Sequence, residues 1–224
     1  MFHNLVNEQI KNIPMPPRIA KLPISDTGFP IPWFVPYDGD KPVPQAADPA
    51  KRMKALRIGL CWICGEPLGK FKAFVIGPMC AVNRVTSEPP CHRECAEYAV
   101  RACPFLAKPR MKRNPIEIPG KAPAPGIPID RNPGVCLIWI TLGYTTFRDG
   151  NGGVLIRLSA EPVETHFYRE GREATRGDVL ASMESGMPIL RDMARQDGGH
   201  ALDQLERQYH DAMRLLTGVK AYER

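Results

Sequence analysis

Hydrophobic residues fall along this chain in short, punctuated runs. The densest, Val135-Cys-Leu-Ile-Trp-Ile140, is strand-sized and far below the roughly 18–20 residues of a membrane-spanning helix. Strand-like residues over 135–147 and 154–158 flank Arg148-Asp-Gly-Asn-Gly-Gly153, which predicts a hairpin, and 164–168 offers a further strand. The period then changes. Thr175-Arg-Gly-Asp178 reads as a cap, and Leu180, Met183, Met187, Leu190 and Ala194 recur at helical spacing. Pro188, just after Gly186, is expected to kink or restart that helix. Past Asp197-Gly-Gly199 a second helix sets Leu202, Leu205, Tyr209, Ala212 and Leu216 on one face, so the two form a helical hairpin packed on a small sheet.

The N-terminal half is patterned differently. Asp48-Pro49 supplies an N-cap and a first-turn proline for a helix through about Arg57. Asp38-Gly39 between apolar flanks suggests a short hairpin within 32–43, and the run Phe71-Lys-Ala-Phe-Val-Ile-Gly-Pro-Met79 suits another. Prolines divide the chain: of 24, ten lie in residues 1–50 and eight in 101–150. The first group implies an extended arm over 1–32, because each proline fixes φ and removes a donor. The second marks a linker. The expected organisation is therefore a proline-rich arm with a short hairpin (1–47), a cysteine module (48–106), a proline-rich basic linker (107–133) and a sheet with helical hairpin (134–224).

Seven cysteines is an odd number, and six crowd into residues 61–103. The N-terminus lacks a basic region followed by an apolar one, so the expectation is an unsecreted, cytoplasmic chain with reduced thiols and no membrane partner. Clustered cysteines there read as metal ligands. Cys61-Trp-Ile-Cys-Gly65 has the form of a knuckle in which two thiolates converge while the glycine permits the turn. In Cys91-His-Arg-Glu-Cys95, His92 and Cys95 are three apart on a helical run. Knuckle, hairpin and two ligands in a first helical turn is the order of a treble clef. One structural Zn²⁺ held by Cys61, Cys64, His92 and Cys95 is the expectation, with Cys91, Cys80 and Cys103 as rivals for a position. The fold class is then α+β: a treble-clef-like zinc module plus a small antiparallel sheet with a C-terminal helical hairpin.

Catalysis is not expected there. No histidine lies between Gly65 and Cys91 to serve a ββα-metal nuclease, and the deaminase pattern is missing. Charge suggests binding instead. The chain carries +6, but residues 51–113 hold 13 basic and four acidic residues, a local +9 against −3 elsewhere. A phosphate-binding face would draw on Lys51, Arg52, Lys54, Arg57, Lys70, Lys72, Lys108, Arg110, Lys112 and Arg113. The alternative is a protein-interaction factor with purely structural zinc, which contacts a partner protein through the arm and the helical hairpin.

Arg18-Ile-Ala-Lys-Leu-Pro23, Gly28-Phe-Pro-Ile-Pro-Trp-Phe34, Cys61-Trp-Ile-Cys-Gly-Glu-Pro-Leu-Gly69, Ala73-Phe-Val-Ile-Gly-Pro-Met-Cys-Ala-Val-Asn83, and Ala174-Thr-Arg176 through Glu184-Ser-Gly-Met-Pro188 resemble a group of bacterial and bacteriophage proteins. The resemblance runs from about residue 18 over nearly the whole chain. It implies a phage or prophage setting in the cytoplasm of a bacterial host cell, with a host or phage protein as the partner of the alternative reading, and one continuous architecture; it carries over no catalytic residues.

Overall fold

The computed structural model describes residues 6–107, 125 and 133–218. Along the chain the helices are α1 (Pro17–Ala20), α2 (Pro49–Ile58), α3 (Pro78–Asn83), α4 (Arg93–Ala102), α5 (Pro104–Ala107), α6 (Arg176–Asp197) and α7 (Ala201–Arg214), with a 3₁₀ turn at Leu215–Gly218. The strands are β1 (Tyr37–Asp38), β2 (Lys41–Pro42), β3 (Lys72–Ile76), β4 (Val85–Thr86), β5 (Cys136–Thr141), β6 (Tyr144–Arg148), β7 (Val154–Leu158), β8 (Glu164–Arg169) and β9 (Arg172–Glu173). Among the described residues, no helix is long and apolar enough to cross a membrane.

One antiparallel sheet organises the molecule. Its order is β3-β5-β8-β9, with Phe74 opposite Trp139 and Ile138 opposite His166. Every residue of β5 is buried, which is why this strand reads as an uninterrupted apolar run. Alternate side chains leave the sheet on opposite faces. Phe74, Ile76, Leu137, Trp139 and Phe167 enter a core completed by α3, α6 and α7 through Val82, Met183, Met187, Leu190 and Leu205. Ala73, Cys136, Ile138, Ile140 and Tyr168 enter a second core with Cys61, Cys64, Cys95, Val100, Ile10 and Ile19. The helical hairpin and the cysteine module are thus opposite coats of one sheet.

The expected boundary between 48–106 and 134–224 is therefore no boundary in the fold. Strand β3 of the module pairs with β5, and β4 pairs with β7 in a second sheet of order β4-β7-β6. The β6–β7 hairpin forms as expected, but residues 135–147 divide: β5 stays in the first sheet, and the chain turns at Leu142-Gly143 so that β6 joins the second. The 71–79 segment forms a strand and then a helix, not a hairpin. Pro78 provides the first-turn proline of α3, whose Met79, Ala81 and Val82 are buried.

Two further expectations change. Residues 6–36 do not extend as an arm, because Ile10 and Ile19 are 2% and 1% exposed against the module and Ile24 bridges Pro30. Helix α6, opened by a Thr175–Asp178 capping box, continues through Pro188 as one element. Pro188 and Glu184, the position whose carbonyl loses its N–H partner, are both exposed, while Met183, Met187 and Leu190 hold the other side in the core. Linker residues 108–124 and 126–132 lie outside the described residues.

Candidate metal centre

The knuckle is built by backbone hydrogen bonds. Leu60 bridges Pro67, the Cys61 N–H donates to Glu66 O at 2.8 Å, and the Gly65 N–H donates to Cys61 O at 2.9 Å. Gly65 has φ of +76°, and a Cβ there would stand 2.6 Å from Trp33 Cγ, so the turn needs both the left-handed backbone and the missing side chain. The second ligand pair is docked against the first. Trp62 N–H donates to Pro90 O at 3.0 Å, and Ala73 and Cys91 exchange hydrogen bonds of 2.9 and 2.7 Å.

From that extended segment the chain enters α4 at His92, its N-cap residue, and Cys95 sits in the first turn. The His92 side chain does not cap the helix. It turns to Cys61, Cys64 and Cys95, and the four ligand atoms lie within 4.8 Å of one another, all buried. A tetrahedral ion with bonds of about 2.3 Å to sulfur and 2.0 Å to nitrogen separates those atoms by roughly 3.5 Å. His92 Nδ1 lies 3.4 Å from Cys64 Sγ and 3.9 Å from Cys95 Sγ. The residues fit one metal ion.

The surroundings prepare the donors. His92 Nε2 lies 3.0 Å from Pro67 O, which can only accept, so Nε2 carries the proton and Nδ1 presents its lone pair to the thiols. Backbone N–H groups of Cys64 and His92 both point at Cys61 Sγ, each at 3.4 Å. The Cys64 and Cys95 thiols, and then these N–H groups, pull the Cys61 thiol down, whereas Cys61 pushes both Cys64 and Cys95 up. The three sulfurs compete for one negative charge. A bound cation removes that competition by letting all three ionise.

Cys91, the closest rival by sequence, is excluded from the cluster by strand alternation. Its thiol donates to Ala73 O at 3.1 Å, and burial raises it well above the ordinary range. Cys80 and Cys103 stand apart as well, as does Cys136, and burial pushes Cys80 up to about 11 and Cys136 up to about 12. In each of these four, burial favours the protonated thiol.

Sequence reasoning missed the clasp over the site. Arg18 pairs with Glu66, two residues past Cys64, and with Glu94, between His92 and Cys95, at 3.0 Å. Lys21 reaches Glu66 at 2.8 Å. One guanidinium thus spans the two elements that carry the ligands. Nothing short-range in the sequence signals a pairing over 76 residues.

The basic residues differ in how far they are free to meet a partner. Arg52 is 8% exposed and donates to Ser87 O at 2.7 Å and Val154 O at 2.6 Å, so it ties α2 to the second sheet and is unavailable to a phosphate. Lys51 donates to Val35 O and lies 5.8 Å from the Trp33 ring centroid, and Lys72 donates to Gly69 O and Lys70 O. Lys54, Arg57 and Lys70 are exposed and make no ion pair among the described residues. Lys108, Arg110, Lys112 and Arg113 lie outside the described residues. Comparison of the chain with protein families, with curated proteins and with solved structures finds no match.

Proposed function

We propose that this chain is a phage- or prophage-type protein with one structural Zn²⁺ in a treble-clef-like module, which binds nucleic acid through the basic surface beside that module. The observation that carries the zinc reading is the closed, buried set of three cysteines and a histidine whose far nitrogen is already engaged. Such a donor set suits a borderline-soft ion and leaves no open position for substrate, so its contribution is folding energy. Metal analysis of the purified chain tests this, with one zinc per chain expected. A Cys61→Ser variant that folds as stably as the wild type would sink it.

The nucleic-acid reading rests on α2, a helix without a single acidic residue, whose Lys54 and Arg57 are exposed, and on Lys70 beyond the knuckle. Three acids near the site are paired from within, Glu66 and Glu94 by the clasp and Glu97 by Arg93, and none of them pairs with Lys54, Arg57 or Lys70. Backbone contact of this kind is salt-dependent, with a log–log slope near −0.9 per phosphate on a duplex. Replacing Lys54, Arg57 and Lys70 together by glutamate should flatten the slope by about 2–3. An unchanged slope would refute the assignment. The protein-interaction alternative loses part of its surface, because Ile10 and Ile19 of the arm are spent on the module.

A further inference from the structure

We propose that the nucleic acid taken by this face is single-stranded, with Phe71 as the platform on which a base stacks. The inference rests on the nucleic-acid reading above and names its substrate class. Phe71 immediately precedes β3, yet it is 47% exposed, unlike Phe74 three residues on at 1%. Lys70 Nζ lies 5.7 Å from the Phe71 ring centroid, so a cation and an aromatic face are presented together.

The surroundings extend this pairing into a track. Lys72 is opposite Thr141, which places Phe71 beside Leu142, itself 50% exposed at the end of β5. On the other flank the knuckle runs antiparallel to the exit of α2, with Leu60 bridging Pro67 and Leu68 N–H donating to Gly59 O at 2.8 Å. That pairing sets the end of α2, with Arg57 and the 54% exposed Ile58, alongside the segment that carries Lys70 and Phe71. Two exposed cations and three exposed apolar side chains thus belong to neighbouring segments.

A duplex makes poor use of such a surface. Its base faces are shut inside the stack, and it offers phosphates and groove edges only. A single strand offers phosphates to Arg57 and Lys70 and an unstacked base to Phe71, and an aromatic face accepts any base. A second copy of the chain is a worse occupant, because these few half-exposed side chains fall far short of the roughly 800 Å² per partner of a stable interface.

The test is fluorescence anisotropy with the zinc-loaded full chain, a labelled oligothymidylate and a duplex of equal length. The strand should bind more tightly. Phe71→Ala should weaken the strand by roughly 5- to 100-fold and leave the duplex within about twofold. Phe71→Trp should restore strand binding, with indole emission quenched by oligothymidylate and not by duplex. Equal affinity for both ligands, or a Phe71→Ala variant that is silent on the strand or loses both ligands alike, overturns the single-strand inference. The Arg57→Glu, Lys70→Glu double variant separates it from its parent. Weakening of both ligands with Phe71 silent keeps nucleic-acid binding and removes stacking, whereas no binding of either ligand by the wild type removes both.

Discussion

Arg52 decides whether the charge on α2 is structural or functional, and Arg52→Met is the substitution that asks. The side chain donates Nε to Ser87 O at 2.7 Å and Nη2 to Val154 O at 2.6 Å, with 8% of the residue exposed. Charged hydrogen bonds contribute about 1.5–3 kcal/mol each, a gross loss of about 3–6 kcal/mol when both donors are removed. Part of that is returned. Burial disfavours the guanidinium and pulls its pKa down, so methionine recovers a desolvation cost and keeps the apolar stem in place. A net loss of about 2–3 kcal/mol follows, which for a chain of this size lowers Tm by roughly 5–10 °C. Urea unfolding followed by far-UV circular dichroism should show a lower midpoint at unchanged slope. The salt dependence of nucleic-acid binding should not move, whereas Lys54→Met should flatten it and leave stability alone. Unchanged stability together with a flatter salt slope for Arg52→Met would refute the reasoning and return Arg52 to the surface.

Three further outcomes follow from the same geometry. Gly65→Ala forces a side chain into the left-handed region and into Trp33, so thermal melts of the zinc-loaded protein should show a loss above about 2 kcal/mol, and equal melting would contradict the knuckle. Burial alone would raise the Asp178 carboxyl, but hydrogen bonds from Thr175 and Arg172 outweigh it and hold it below the usual carboxylate value near ~3.9. Its stabilisation is complete above that value and is lost as pH falls through the lower folded one, so Asp178→Asn should cost about 1–2 kcal/mol at neutral pH, and the gap to the wild type should close in acid. Tyr98 hydroxyl is buried without a hydrogen-bond partner among the described residues, so Tyr98→Phe should be neutral or stabilising by about 1 kcal/mol in urea titration; a clear destabilisation would reveal a partner.

Local chemistry was legible from the sequence, and long-range pairing was not. The two ligand pairs, the Asp48 and Thr175 caps and the β6–β7 hairpin all depend on residues within a few positions of one another. The choice of His92 over Cys91 was open because both flank the start of α4; alternation against Ala73 settles it, and Ala73 is 18 residues away. The split of residues 135–147 was hidden because β5 and β6 are both strand-like, and only their partners β3 and β7 assign them to different sheets. Charge counting failed at Arg52 for a related reason: sequence records the cation but not the two carbonyls, 35 and 102 residues on, that receive it.

The shared sheet also sets an order of events during synthesis. All four candidate ligands lie within residues 61–95, so a metal ion can be captured before residues 108–132 are made. Strand β3, however, stays unpaired on its β5 side until residues 136–141 emerge. A chain cut after residue 107 would keep the four candidate ligands and expose Phe74 and Ile76, with a bare strand edge ready to pair with another chain. The cysteine module is thus a nucleus that can form first but cannot be excised as a soluble finger, and a chain ending at residue 107 should aggregate instead of giving a stable fragment.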